Sequence, residues 1–192
     1  QFVNTYNLTL ANTFDDSGNL WVLNGRVEKP LNKYSNGQWT SYDFNSLIPD
    51  PIDNLGFSDI IVNQDKIFIG SYFFGLIGYD INQGTSSLRE LSGEDTANLP
   101  SDYIKALAFD KNNILWIGTY KGLRVLYNTS NFFTEEVLTT SPIIILEDGL
   151  PKELLELQFI TKIIVDGSNN KWVSTADSGC LLYTSDAADE PK

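Results

Sequence analysis

Carboxylates are the most plentiful side chains here that could do acid–base chemistry, and two pairs stand side by side, Asp15 with Asp16 and Glu135 with Glu136. A general acid and a general base must converge on one substrate. Adjacent residues of an extended chain point to opposite faces, so both pairs read as turn or solvated edge. Runs such as Asp110 to Asn113 offer oxygen ligands, but they lack the regular alternation and distal bidentate Glu of a calcium loop, and turn chemistry explains them. The chain has no histidine, and its single cysteine is Cys180. The common nucleophile, general base and transition-metal ligands are thus nearly missing. No catalytic residue, metal ligand or cofactor is assigned, and the chain reads as a binding protein rather than an enzyme. What remains is largely aromatic: Tyr72, Phe73 and Phe74 in one loop, Tyr120 with Lys121 in a second, and Asp177 in a third. On a common rim these would suit stacking on sugar rings or anchoring a protein partner; the alternative is that they cover a packing junction.

The elements that carry these loops repeat. One phrase, a turn followed by an aromatic strand, occurs as FDDSGNLWVLNG (14–25), VNQDKIFIGSYFFGL (62–76), FDKNNILWIGTYKGLRVLY (109–127) and VDGSNNKWVSTADSG (165–179). Its anchors, Trp21, Phe68, Trp116 and Trp172, lie 47, 48 and 56 residues apart. That period is one propeller blade with a variable insertion. In the third copy, Ile104, Ala106 and Ala108 alternate with Leu107 and Phe109, which predicts a first strand packed on both faces. Asp110 to Asn113 close a tight hairpin, ILWIGTY forms the second strand, LRVLY the third and FFTEEVL an outer fourth. Trp116 should spread between blades, with small Gly118 beside it for close approach. The expected fold is all-β, an incomplete β-propeller of about four consecutive four-stranded blades of a larger ring. The candidate loops then gather at one mouth of its channel.

A second phrase, SLIPD (46–50), ANLPSD (97–102) and DGLPKE (148–153), places a proline where the chain crosses between blades. GQWTSYDF predicts an outer strand with Trp39 and Tyr42 as an aromatic pair. PKELLELQFITKIIV allows a short helix or turn from Pro151 before a strand over 159–165. From Cys180 the text CLLYTSDAADE, then Pro191 and Lys192, breaks the pattern and looks like a translated sequencing adapter. The propeller is therefore drawn over 1–179 and residues 180–192 are set aside as an artefact, with Leu181 to Tyr183 free to extend a strand by chance. Removing that tail takes out Asp186, Asp189, Glu190 and Lys192, moving the net charge from −12 to −10. Either charge repels nucleic acid and anionic lipid. No apolar stretch reaches the roughly 20 residues of a membrane span. Gln1 reads as an interior or processed end, without a signal peptide.

The four phrases resemble the two-component regulator propeller repeat, with a D-x-x-G-x-L-W-I-G-T-x-x-G-L pattern after a leucine-proline crossover. Asp110, Leu115, Trp116, Ile117, Gly118, Thr119, Gly122 and Leu123 match it nearly in full; the second copy departs at Phe68 and Ser71. The resemblance covers 8–179. It implies one of two settings in a Gram-negative bacterium. Residues 147–179, with the ELLELQF insertion, look most like a cell-surface component of the type IX secretion system attachment complex. Its partners would be proteins of that complex, or a saccharide or lipopolysaccharide ligand. The other setting is the periplasmic, carbohydrate-sensing ectodomain of a hybrid two-component regulator.

Overall fold

The computed structural model describes residues 8–50 and 56–184. Strands β1 (Leu8–Phe14), β2 (Leu20–Gly25), β3 (Leu31–Ser35) and β4 (Gln38–Tyr42) form one antiparallel sheet in chain order, and β5 (Phe57–Asn63), β6 (Lys66–Ser71), β7 (Leu76–Asp80) and β8 (Arg89–Leu91) form the next. A one-turn helix, α1 (Glu94–Ala97), leads into a three-stranded sheet of β9 (Ile104–Phe109), β10 (Leu115–Thr119) and β11 (Gly122–Leu126). A separate hairpin of β12 (Ile144–Glu147) and β13 (Leu150–Glu153) precedes the last sheet, β14 (Ile160–Val165), β15 (Lys171–Thr175) and β16 (Cys180–Tyr183). These are four consecutive blades of a β-propeller, and among the described residues they close no ring. All four aromatic anchors sit on the second strand of their blade.

Period-two alternation on those second strands builds the core. Ile67 and Ile69 of β6 join Trp21 and Leu23 of the first blade in one buried cluster, while Phe68 between them joins Leu115 and Ile117 of the third. Trp116, between Leu115 and Ile117, turns the other way onto Ile160, Ile163 and Val173 of the fourth. Each sheet is thus apolar on both faces, and each junction is a core of its own.

The conserved geometry of the turn follows from one aspartate. Asp15, Asp110 and Asp166 each accept backbone N–H groups two and four residues on and, through Oδ2, the indole N–H of the anchor, at 2.9 Å to Trp21 and 3.2 Å to Trp116 and Trp172. The carboxylate fixes the hairpin and satisfies the one polar atom of the tryptophan.

Four sequence expectations change. Every first strand carries a bulge against its second strand, at Leu10, Ser58, Lys105 and Thr161. The extra residue reverses the alternation, so Ile104 leaves the face of Ala106 and Ala108 and packs with Leu107 on the second blade. The segment FFTEEVL forms no fourth strand. A 3₁₀ turn at Thr129–Asn131 diverts it, Phe132 lands on Gly78 of the second blade, and Arg89 donates to the carbonyls of Phe132 (2.7 Å), Glu135 and Glu136. A single bridge, Val125 to Ser141, stands in for the missing strand. DGLPKE is no crossover and Pro151 starts no helix: they build a hairpin turn and β13, where Pro151 faces Leu146 on an edge that needs no proline N–H. Trp39 pairs with Tyr34 at 5.0 Å, and Tyr42 instead stacks on Trp21 at 5.8 Å. Past the boundary drawn at 179, Cys180–Tyr183 pairs with β15, and Tyr183 packs on Trp116. The rest of the segment set aside as an artefact, residues 185–192, lies outside the described residues.

Candidate functional site

The loop after each second strand and the entry to each first strand lie at the same end of a blade, because the two strands run antiparallel. A repeated backbone bond ties them: Tyr72 N–H donates to the carbonyl of Gly56 at 3.0 Å, Tyr120 to Tyr103 at 2.9 Å and Ala176 to Phe159 at 2.9 Å. Side chains at these paired positions meet across blades. Tyr72 lies 4.7 Å from Tyr103 between ring centroids, Tyr103 stacks on Tyr120 at 5.8 Å with 2° between planes, and Phe159 closes on both at 5.6 and 5.0 Å. Phe73 extends the strip from Tyr72 at 6.5 Å. Five rings from three blades form one aromatic strip, with Phe73 65% and Tyr120 50% exposed and the others half-buried.

Of the six residues singled out from the sequence, Tyr72, Phe73 and Tyr120 come together in this strip. Phe74 turns inward against the core between the first two blades. Lys121 is exposed beside the strip; its carbonyl accepts the N–H of exposed Leu157 at 3.2 Å. Asp177 is exposed on the last blade, next to Ser178, whose hydroxyl donates to Gln158 at 2.7 Å. Tyr103 and Phe159 were not foreseen. Both stand thirteen residues before their tryptophans, a shared offset that marks them once the register is known.

The strip is uncharged. Burial pushes the Tyr103 hydroxyl above its ordinary value of 10.0, and hydrogen-bonded Tyr72 and nearby Tyr120 add to this. On the innermost strands, Asp59 accepts the N–H of Leu107 at 2.9 Å and of Ile60 at 3.0 Å, joining the second blade to the third. Its burial raises the pKa despite these bonds and despite Lys162 and Lys105. Other buried charges hold the frame: Arg124 meets Glu153 and the carbonyl of Asn98 (2.9 Å), and Lys171 meets Asp110 at 3.2 Å. Among the described residues no three His, Cys, Asp or Glu side chains gather as a metal site, and no helix is long and apolar enough to cross a membrane. The arrangement offers stacking and apolar contact.

Residues 98–121 match the family described as two component regulator propeller. No curated protein sequence matches the chain. Among solved structures, the chain is similar to PorZ of Porphyromonas gingivalis, a surface component of the type-IX secretion system, with 24% identity and a TM-score of 0.78 over 94% of this chain and 26% of that one. It is similar to the extracellular domain of a hybrid two component system of B. thetaiotaomicron (19%, TM-score 0.61, 93% of this chain and 22% of that one). It is also similar to virginiamycin B lyase of Staphylococcus aureus in a histidine-to-alanine, catalytically inactive form (11%, TM-score 0.68, 97% and 55%). The chain thus spans about a quarter of the length of the first two. With the two component regulator propeller repeat matched at residues 98–121 and the same architecture in all four blades, the chain is a β-propeller segment that carries at least one such repeat.

Proposed function

We propose that this chain is a non-catalytic binding segment of a PorZ-like component of the type IX secretion system, at the cell surface of a Gram-negative bacterium. The observation that carries the binding role is the uncharged strip of Phe73, Tyr72, Tyr103, Tyr120 and Phe159, since exposed aromatics on a rigid rim are the usual anchors of a partner. The partner is a protein of the attachment complex, or a saccharide or lipopolysaccharide stacked on the rings. The likeness to PorZ in fold and the 56-residue last period support this setting. The matched family favours a second reading, the ligand-sensing periplasmic ectodomain of a hybrid two-component regulator. The lyase likeness points less to catalysis: that enzyme is described as inactive with a histidine replaced, and this chain has none. Residues 180–192 remain, in this proposal, a translated adapter, which resequencing of the genomic locus tests.

The experiment is a Phe73→Ser, Tyr120→Ser double variant, both at exposed positions, placed in the full-length protein in its own cell. Loss of surface attachment of secreted proteins, at unchanged protein level, is the expected result. Normal attachment with a lost transcriptional response to added oligosaccharide would select the sensor reading, and no change in either would sink the strip as a binding site.

A further inference from the structure

At the opposite end of the blades, where first and second strands join, a cleft of about 290 Å³ opens between the second and third blades. We propose that it binds a small hydroxylated anion, one carboxylate or phosphate group beside neutral hydroxyls. Its size is close to the lower range of small-molecule sites.

Two hairpin turns supply its mouth. Gln64 and Asn113 each adopt left-handed backbone (φ 54° and 60°), and with Asn63 and Asn112 they set four side-chain amides around the opening. Asn63 reaches Asn113 at 3.5 Å, a long bond that leaves most amide N–H and C=O capacity for a ligand. Ser130 adds a hydroxyl, and the exposed ring of Tyr127, 60% accessible, stands where it can cover the apolar face of a polyol. Phe68, fully buried in the junction core, lies beneath the cleft.

The charge of the ligand follows from Lys66. It is the one charged residue in the lining, it is half-buried, and among the described residues its ammonium makes neither hydrogen bond nor ion pair. In a chain where 25 acidic residues outnumber 13 basic ones, a donor-rich cleft without a carboxylate is selective against cations and open to a single negative group. The neighbouring amides and hydroxyls then take the neutral oxygens of the same molecule.

Calorimetric titration of the full-length protein, with all its blades, with galacturonate and with glucose 6-phosphate tests this, with glucose and galactose as neutral comparators. At least one anion should bind saturably while the neutral sugars do not, and which one binds distinguishes carboxylate from phosphate. Lys66→Gln should weaken that binding about tenfold or more, as expected for a lost charge-assisted bond, and Lys66→Arg should keep it. Tyr120→Ser, on the other rim, should leave it unchanged, which separates this cleft from the aromatic strip. Binding of neither anion, equal binding of the neutral sugars, or full affinity in a Lys66→Gln protein with unaltered circular dichroism overturns the proposal.

Discussion

Asp110 serves four groups at once: its Oδ1 accepts the N–H of Asn112 and Ile114 at 2.9 and 3.0 Å, and its Oδ2 meets the Trp116 indole and the Lys171 ammonium, each at 3.2 Å. Lys171 also lies 5.0 Å over the Trp116 ring, so a single carboxylate stitches the third blade to the fourth. Asp110→Ala leaves a buried ammonium without its counter-charge and should cost about 3 kcal/mol in urea unfolding. Asp166→Ala makes the same turn without the ion pair and should cost distinctly less. The bonds from Asn170, then Trp172 and Ser168, hold the Asp166 carboxyl down at about 2, so its contribution is complete above its ordinary 3.8 and fades as pH falls toward 2. Asp59 has the opposite sign. Burial raises its pKa above 3.8, so its share of stability is full below that value and is lost as pH rises through the raised one. Asp59→Asn keeps its one oxygen for the cross-blade N–H of Leu107, gives up the bond from Ile60, and should still raise the melting temperature at pH 7, because it removes the buried charge. That gain should vanish below about pH 4, and a loss at pH 7 would contradict it.

At the scale of strands, blades approach through small residues. A Cβ on Gly118 would lie 2.5 Å from Ile160 Cγ2, and one on Gly70 would lie 2.9 Å from Ile104 Cγ2. Gly118→Ala should therefore cost about 2 kcal/mol by overpacking, with part of the loss recovered by adding Ile160→Val, measured as a double-mutant cycle. Much of this was legible in the sequence, since Trp116 and Gly118 sit in a phrase whose alternation survives folding. Ile104 was misplaced because a bulge costs one residue of register and leaves no mark in the residue types. The fate of Phe132 was also hidden: a local pattern rich in aromatic and β-forming residues says strand, but Arg89, 43 residues earlier, captures its carbonyl. The candidate loops were readable from their place after the second strands, whereas the strip needed Tyr103 and Phe159, which only the backbone bonds between loop and first strand within each blade bring into line.

Over the whole molecule, the three junctions differ from the two outer faces. In the last blade Ile164, Trp172 and Leu182 pair directly across three strands and are 55%, 43% and 43% exposed, while Trp116, at the equivalent place one blade earlier, is 3% exposed. Phe14, Leu20, Tyr34 and Trp39 make a similar row across the first blade. Trp116→Ala should cost about 4 kcal/mol, as for a buried aromatic. Trp172→Ser should instead leave stability nearly unchanged and reduce self-association in light scattering, because it removes apolar surface that water now wets. Residues 1–179 alone should run as a poorly stable, associating species on sizing chromatography, and a compact monomer that unfolds cooperatively would refute this. Adding further blades should restore stability.

The hairpin Ile144–Glu153 lengthens the last period, yet the first and second strands of the blades on either side pair in the same register. The reason is where it is pinned: Leu154 N–H reaches the carbonyl of Ile143 at 2.8 Å, so the chain leaves and re-enters the ring at one point. Ten residues are thereby spliced in as a closed cassette. A repeat protein with such a seam can gain, lose or exchange surface decoration in single steps, each change inheriting an intact scaffold.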